Sequence, residues 1–264
     1  MSARDWTVTR LAPTLGARVE GLDLEKATAF DLDALADLLY EYLVVALPDQ
    51  NLTVDRHVEL GHRFGEPLIH PFLDAVPEHP AILQVLKEPH DRETFGGEFW
   101  HADITFIDPP SSVSILHGIE IPALGGDTLF ASQSAAYDAL SSPMKLMLDG
   151  LTAAHVYPDM PESAATTAIH PVIRTHPVSG RKAIFVNPAF TDRIEELAHD
   201  EGQALLDFLF AHSCRQEFQA RIGWASKQVL VWDNRAVQHY ALNDFHGVRR
   251  RLQRVTAMER PGHG

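Results

Sequence analysis

Apolar side chains recur at helical spacing in three stretches of the chain. Between Asp31 and Ala46, Leu32, Leu35, Leu38, Leu39, Tyr42 and Leu43 fall on one stripe, and Pro48 ends the pattern. The tail of that run, Val44-Val45-Ala46-Leu47, is continuously apolar and predicts a strand. Thr53 predicts the N-cap of a second helix carrying His57, Leu60 and Phe64. Asp200 to Cys214 predicts the third, through Leu205, Leu206, Leu209 and Phe210. A shorter helix is expected after Ser142, as cap, with Pro143 in its first turn and Gly150 as its stop.

Elsewhere the pattern is that of strands. Ile82 to Leu86, Ser111 to Ile119, Val229 to Trp232 and Arg251 to Ala257 read as β. Thr128-Leu129-Phe130 follows a Gly125-Gly126-Asp127 turn, and Phe218, Ala220, Ile222 and Trp224 alternate with polar residues. Many short strands with irregular connections predict a mainly β chain with flanking helices, in a jelly roll rather than a βαβ sheet. A Gly-rich phosphate loop is missing, which argues against a nucleotide-binding α/β fold. No repeat or linker divides the 264 residues, so one domain over 1–264 is expected. Lys87 to Gly97 and Pro158 to Thr167 read as loops of the kind that cover sites.

Charge and composition narrow the function. The net charge of −14 argues against nucleic acid, whose phosphates want a basic stripe. Cys214 is the only cysteine, which rules out an intramolecular disulfide and fits a reducing compartment. Its apolar surroundings predict an inert thiol. No apolar run approaches membrane-span length and the first residues lack a signal-peptide core, so a cytoplasmic protein with no membrane partner is expected.

The candidate chemistry lies in His101, Asp103 and His239. On a strand, positions i and i+2 project to the same side, so His101 and Asp103 would point together, with His239 arriving from a distant strand. Two imidazoles and a carboxylate form the facial triad of mononuclear non-haem Fe(II) oxygenases, with three positions left open. Zinc accepts the same ligand types. Among 15 histidines a His-x-Asp pair alone says little; His155, His170 and His176, like His70, read individually as surface or hydrogen-bonded core residues. The weight comes from His101, Asp103 and His239 occurring together with Arg250, whose planar fork suits a carboxylate. Arg250, Leu252 and Arg254 share one strand face, with Arg249 and Arg251 on the other.

The motifs around these residues resemble the taurine dioxygenase family of Fe(II)/2-oxoglutarate dioxygenases along most of the chain. They are Arg63-Phe64-Gly65, Ile69-His70-Pro71, Trp100-His101-Ala102-Asp103, Gly125-Gly126-Asp127-Thr128 and Arg174-Thr175-His176-Pro177-Val178-Ser179-Gly180. Trp232-Asp233-Asn234-Arg235, Gln238-His239-Tyr240-Ala241 and Arg249-Arg250-Arg251 complete them. The resemblance implies a cupin-like double-stranded β-helix with Fe(II) on the catalytic residues His101, Asp103 and His239. It implies 2-oxoglutarate on Thr128 and Arg250, and O₂ as co-reactant. It also implies a substrate anion on Arg254, His70 and the backbone N–H of Ile104. Leu73 and Gly97 replace a tyrosine and an asparagine that accompany taurine recognition in the family, which favours a bulkier or more apolar anion. Phe185, with Phe72 and Phe106, would line its pocket. The implied reaction hydroxylates a small sulfonate, such as taurine or a bulkier relative, and releases succinate and CO₂, with sulfite when the hydroxylated carbon bears a sulfonate. An alkylsulfatase or an aryloxyalkanoate dioxygenase would use the same core. Two readings stand further off: a non-oxidative cupin-like metal protein, such as a zinc-dependent isomerase, and a purely structural barrel. By analogy with family members, a homo-oligomer, dimer or tetramer, is expected.

Overall fold

The computed structural model describes residues 6–70, 75–76, 78–93, 98–157 and 167–260. The described chain begins with a hairpin of β1 (Thr7–Arg10) and β2 (Ala17–Glu20). Helix α1 (Ala29–Tyr42) leads into β3 (Val44–Leu47), and α2 (Val54–Phe64) into β4 (Ala75–Val76) and β5 (His79–Lys87). Next come β6 (Ser111–Glu120), β7 (Thr128–Ser132) and two short helices, α3 (Gln133–Asp138) and α4 (Ser142–Leu148). Five short strands follow: β8 (Thr152–Val156), β9 (Thr167–Pro171), β10 (Ile173–Thr175), β11 (Lys182–Ile184) and β12 (Thr191–Ile194). Helix α5 (His199–Ser213) precedes β13 (Gln219–Ile222), β14 (Val229–Asp233), β15 (Val237–Ala241) and β16 (Arg250–Met258).

The architecture is mainly β with few helices. An eight-stranded sheet runs β1-β2-β3-β14-β6-β16-β5-β4, and a three-stranded sheet runs β13-β7-β15. Two smaller sheets, β12-β8-β9 and β10-β11, complete it. Among the described residues every strand pairing is antiparallel except β2 with β3.

Period-two alternation decides which side of the large sheet each residue serves. Val45, Leu47, Val229 and Val231 pack with Leu32, Leu35, Leu39 and Leu60 of the two long helices. Their neighbours Val44, Ala46, Leu230 and Trp232 pack with Phe130, Ile222 and Val237 of the three-stranded sheet. The central strands β3 and β14 are therefore buried on both faces, and this is why their sequences read as unbroken apolar runs. Helix α5 covers the small strands through Leu205, Leu206 and Leu209, against Val172, Ile184 and Ile194.

The caps explain where the helices sit. Thr28 and Asp31 form a capping box, so α1 starts before the Asp31 expected from the pattern. It ends at Leu43, which adopts a left-handed φ of 65° and turns the chain directly into β3. Thr53 caps α2 as expected. The cap of α4 is Ser141 rather than Ser142: the Ser141 hydroxyl accepts from the Met144 N–H, and Ser142 already lies in the first turn beside Pro143. Phe218 closes a 3₁₀ turn, and the alternating strand begins one residue later. Cys214 is half-buried, and burial pushes its thiol up to about 12, which supports the expected inertness. Of the two candidate covering loops, Lys87 is the buried last residue of β5 and Thr167 the first of β9, while 94–97 and 158–166 lie outside the described residues. No helix among the described residues is long and apolar enough to cross a membrane.

Candidate metal centre

The three candidate ligands meet through one backbone contact and one turn. His239 stands on β15, opposite Phe130 of β7. Its N–H donates to the His101 carbonyl at 2.8 Å, and the His101 N–H donates back to the His239 carbonyl at 3.1 Å. This isolated bridge lays the two imidazoles side by side, with ring centroids 4.0 Å apart. The chain then turns, so Asp103 is not on a strand with His101, contrary to the expected i, i+2 arrangement. Ile104, a β-branched residue, adopts a φ of +52° in that turn, a conformation such residues rarely accept. The Asp103 Oδ1 ends 3.7 Å from His101 Nε2 and 4.0 Å from His239 Nε2. One ligand atom from each residue lies within 4.8 Å of the other two, and all three side chains are buried.

Their protonation suits a cation. His101 Nδ1 lies 3.0 Å from the Phe99 carbonyl, an acceptor, so that nitrogen carries the proton and Nε2 keeps its lone pair. Burial pushes both His101 and His239 below the usual imidazole range, although Asp103 pulls each the other way. For Asp103, burial alone would raise the carboxyl. The Arg254 guanidinium, then His239, His101 and the Ser114 hydroxyl, outweigh it and hold the group ionised. Two neutral imidazoles and one carboxylate in a buried cluster fit a divalent first-row metal.

A second set of residues orients the carboxylate. Ser114 of β6 donates its hydroxyl to Asp103 Oδ2 at 2.6 Å. Asn234 donates to the Ser114 oxygen at 2.9 Å and accepts the Trp232 indole N–H at 2.9 Å and the Asp103 N–H at 3.3 Å. The remaining residues of that motif serve a separate buried site: Asp233 accepts from Arg235 and from His176 Nε2 at 2.8 Å. Neither Ser114 nor Asn234 is singled out by sequence reasoning, although Asn234 belongs to a motif quoted there.

Arg250, the first residue of β16, is 6% exposed. It donates to the Gly126 carbonyl at 3.1 Å and lies 5.7 Å from the ring centres of both Trp224 and Phe245. Its Nε has no partner among the described residues. Burial brings the guanidinium down to about 10 against the opposing pull of Asp127. Thr128 accepts the Trp224 indole N–H at 3.0 Å, which leaves its own hydroxyl proton free to donate. Gly126 is required beside them: its φ is +73°, and a Cβ there would come within 3.2 Å of Arg250 Nε.

Arg254 lies two pleat periods further along β16, and its Nη1 sits 2.8 Å from Asp103 Oδ1. With His70, Leu68, Ala75 and Leu83 it bounds a small cleft. Burial, then the charge of Arg254, lowers the His70 imidazole to about 4. Ile104 is buried immediately after Asp103. Phe185 packs instead against His155, His170 and Arg174, with its ring 4.6 Å from that guanidinium. Phe106 packs on Tyr157 and Phe190. Phe72, Leu73 and Gly97 lie outside the described residues. The three other histidines behave as hydrogen-bonded core residues, His155 and His170 on Thr105 and His176 on Asp233.

Residues 7–256 match the family described as "Taurine catabolism dioxygenase TauD, TfdA family". An alpha-ketoglutarate-dependent sulfonate dioxygenase of Saccharomyces cerevisiae is 33% identical over 96% of this chain and 67% of its own length. An alpha-ketoglutarate-dependent sulfate ester dioxygenase of Pseudomonas putida is 31% identical over 96% of this chain and 90% of its own. The crystal structure of a taurine dioxygenase from Burkholderia xenovorans superposes with a TM-score of 0.86 at 33% identity, covering 97% of this chain and 90% of that one.

Proposed function

Since the chain belongs to the TauD, TfdA family of 2-oxoglutarate-dependent dioxygenases, which use Fe(II), 2-oxoglutarate and O₂, we propose that it hydroxylates a small organic sulfonate or a bulkier relative. The observation that carries the choice of an anion is the position of Arg254, a cation 2.8 Å from the carboxylate of the metal cluster. A substrate acid held there would bring its neighbouring C–H to the centre.

In this reading His101, Asp103 and His239 hold Fe(II). The bound iron supplies O₂ activation coupled to decarboxylation of 2-oxoglutarate to succinate and CO₂. The chain's own residues do the binding and aiming. Thr128 donates its hydroxyl to the distal carboxylate of 2-oxoglutarate, and the buried fork of Arg250 takes the same group. Arg254 pairs with the substrate anion, the uncharged His70 donates an N–H to it, and the Ile104 N–H contributes a third donor. Ser114 and Asn234 keep Asp103 in one orientation throughout. When the hydroxylated carbon carries a sulfonate, its collapse to a carbonyl expels sulfite. A sulfate ester or an aryloxyalkanoate on the same cations would follow the same course with a different leaving group, as an alkylsulfatase or aryloxyalkanoate dioxygenase does. The large sheet and the β13-β7-β15 sheet are read as the two walls of one double-stranded β-helix domain, 1–264, in a cytoplasmic homo-oligomer.

A panel of sulfonates, sulfate esters and carboxylates tests the proposal. Succinate formation in the presence of Fe(II) and 2-oxoglutarate should depend on the added anion and vanish in Arg254→Ala. Succinate yields indifferent to every anion would sink it.

A further inference from the structure

Two buried cations stand side by side on the large sheet, and the reading above uses only one of them. Lys87, the last residue of β5, is in register with Arg250, the first of β16. Cross-strand partners project to the same face. Lys87 is 3% exposed and Arg250 6%. Among the described residues neither pairs with a carboxylate: Lys87 donates to Asn243 Oδ1 and, at 3.1 Å, to the Phe245 carbonyl, and Arg250 donates to the Gly126 carbonyl. Adjacent buried like charges repel, and Asp127 offsets this for Arg250 through its field alone, with no ion pair between them.

Phe245 joins the two. The Lys87 ammonium lies 4.4 Å from the centre of its ring and the Arg250 guanidinium 5.7 Å. The segment carrying it is also tied on its other side, where Asp244 Oδ1 accepts the Gly126 N–H at 2.6 Å. Asn243 extends the contact outward, donating to the Arg92 carbonyl at 2.8 Å and to Glu98 Oε1 at 2.7 Å.

We propose that Lys87 is a positioning residue for the cosubstrate. It ties the Asn243–Phe245 segment beneath Arg250 and adds a second positive charge at the distal carboxylate of 2-oxoglutarate. The inference rests on the reading that Arg250 holds that carboxylate.

Binding of 2-oxoglutarate and of 2-oxobutyrate, which lacks the distal carboxylate, separates charge placement from general loop support. Both acids would be titrated anaerobically into the Fe(II)-loaded protein, followed by visible absorbance and calorimetry. Lys87→Met and Lys87→Gln should weaken 2-oxoglutarate about tenfold or more and leave 2-oxobutyrate and Mn(II) affinity nearly unchanged. Lys87→Arg should recover most of the loss. Asn243→Ala, at a half-buried position, gives a second reading without altering the buried cation and should also weaken 2-oxoglutarate selectively. Equal loss for both acids, or none for either, overturns the inference. Arg250→Met distinguishes the two levels. If it leaves 2-oxoglutarate binding intact, the reading of Arg250 itself fails. If it weakens binding while the Lys87 and Asn243 variants do not, only the role of Lys87 falls.

Discussion

At the scale of single residues, the geometry of the candidate centre depends on groups outside its three candidate ligands. Asp103 presents Oδ1 to the imidazoles because Ser114 and Asn234 hold the rest of the group. Asn234→Ala removes the acceptor of the Trp232 indole and the donor to Ser114 together. Its expected effect is a ~10–100-fold loss of Mn(II) or Fe(II) affinity, read by direct titration. A variant with unchanged affinity would make the network a matter of packing. The buried histidines outside the centre set a pH response. Burial lowers both His57 and His155 to about 3, against an ordinary value of 6.5. Below pH 6.5 the unfolded chain therefore takes up protons that the native one refuses. The stability they contribute is complete above 6.5 and falls as pH drops toward 3, by ~1.4 kcal/mol per pH unit for each. Urea midpoints between pH 7 and 5 measure this slope, and His57→Gln should remove about one proton's share of it. The candidate ligands His101, Asp103 and His239, and Arg250 with them, are legible because they are chemically distinctive within specific motifs. Ser114 is not, since a serine inside the strand-like stretch Ser111–Ile119 looks like any strand residue until β6 is placed beside the Asp103 turn.

At the scale of elements, helix α2 and strand β16 are fitted to each other through two glycines. A Cβ on Gly65 would stand 1.8 Å from the Met258 carbonyl oxygen, and one on Gly61 would stand 2.5 Å from a Val255 methyl. The first obstacle is backbone and cannot rotate away. Gly65→Ala is expected to cost ~3 kcal/mol or more, whereas Thr53→Ala, which removes the cap of the same helix and an exposed hydroxyl bond to Glu25, should cost ~1 kcal/mol. Equilibrium unfolding of both proteins checks the contrast, and equal losses would refute it. Among the elements that the hydrophobic pattern reveals, α1, α5, β6 and β16 bury a long face, while β3 and β14 are short but buried throughout. The strands β8 to β12 span three to five residues each, too few for local alternation to carry much signal. The convergence of His101 with Asp103 was anticipated on a strand geometry that the chain does not use. A single bridge and a left-handed Ile104 achieve it instead, and neither is encoded in a period.

At the scale of the whole molecule, the cluster joins parts that are otherwise held by apolar packing. His239 and Thr128 belong to the three-stranded sheet, Ser114, Arg250 and Arg254 to the eight-stranded one, and Asp103 to the turn between them. A metal bound at this candidate centre would tie both sheets and the turn into one unit, and would bind the native state alone. Linkage then requires stabilisation by ~2.7 kcal/mol when free metal is a hundredfold above its dissociation constant. For a chain of this size that is a rise in Tm of roughly 5–10 °C. Mn(II) with 2-oxoglutarate under anaerobic conditions should give that shift without turnover. His239→Ala changes the baseline Tm too, because its ring packs on Trp232 and Phe130. The informative quantity is therefore the shift, which should disappear in the variant whatever its starting Tm. A full shift retained in His239→Ala would mean that the metal binds somewhere other than between the two sheets. A shift lost only in Arg250→Met, and only for 2-oxoglutarate, would locate the cosubstrate on the large-sheet side of the same cluster.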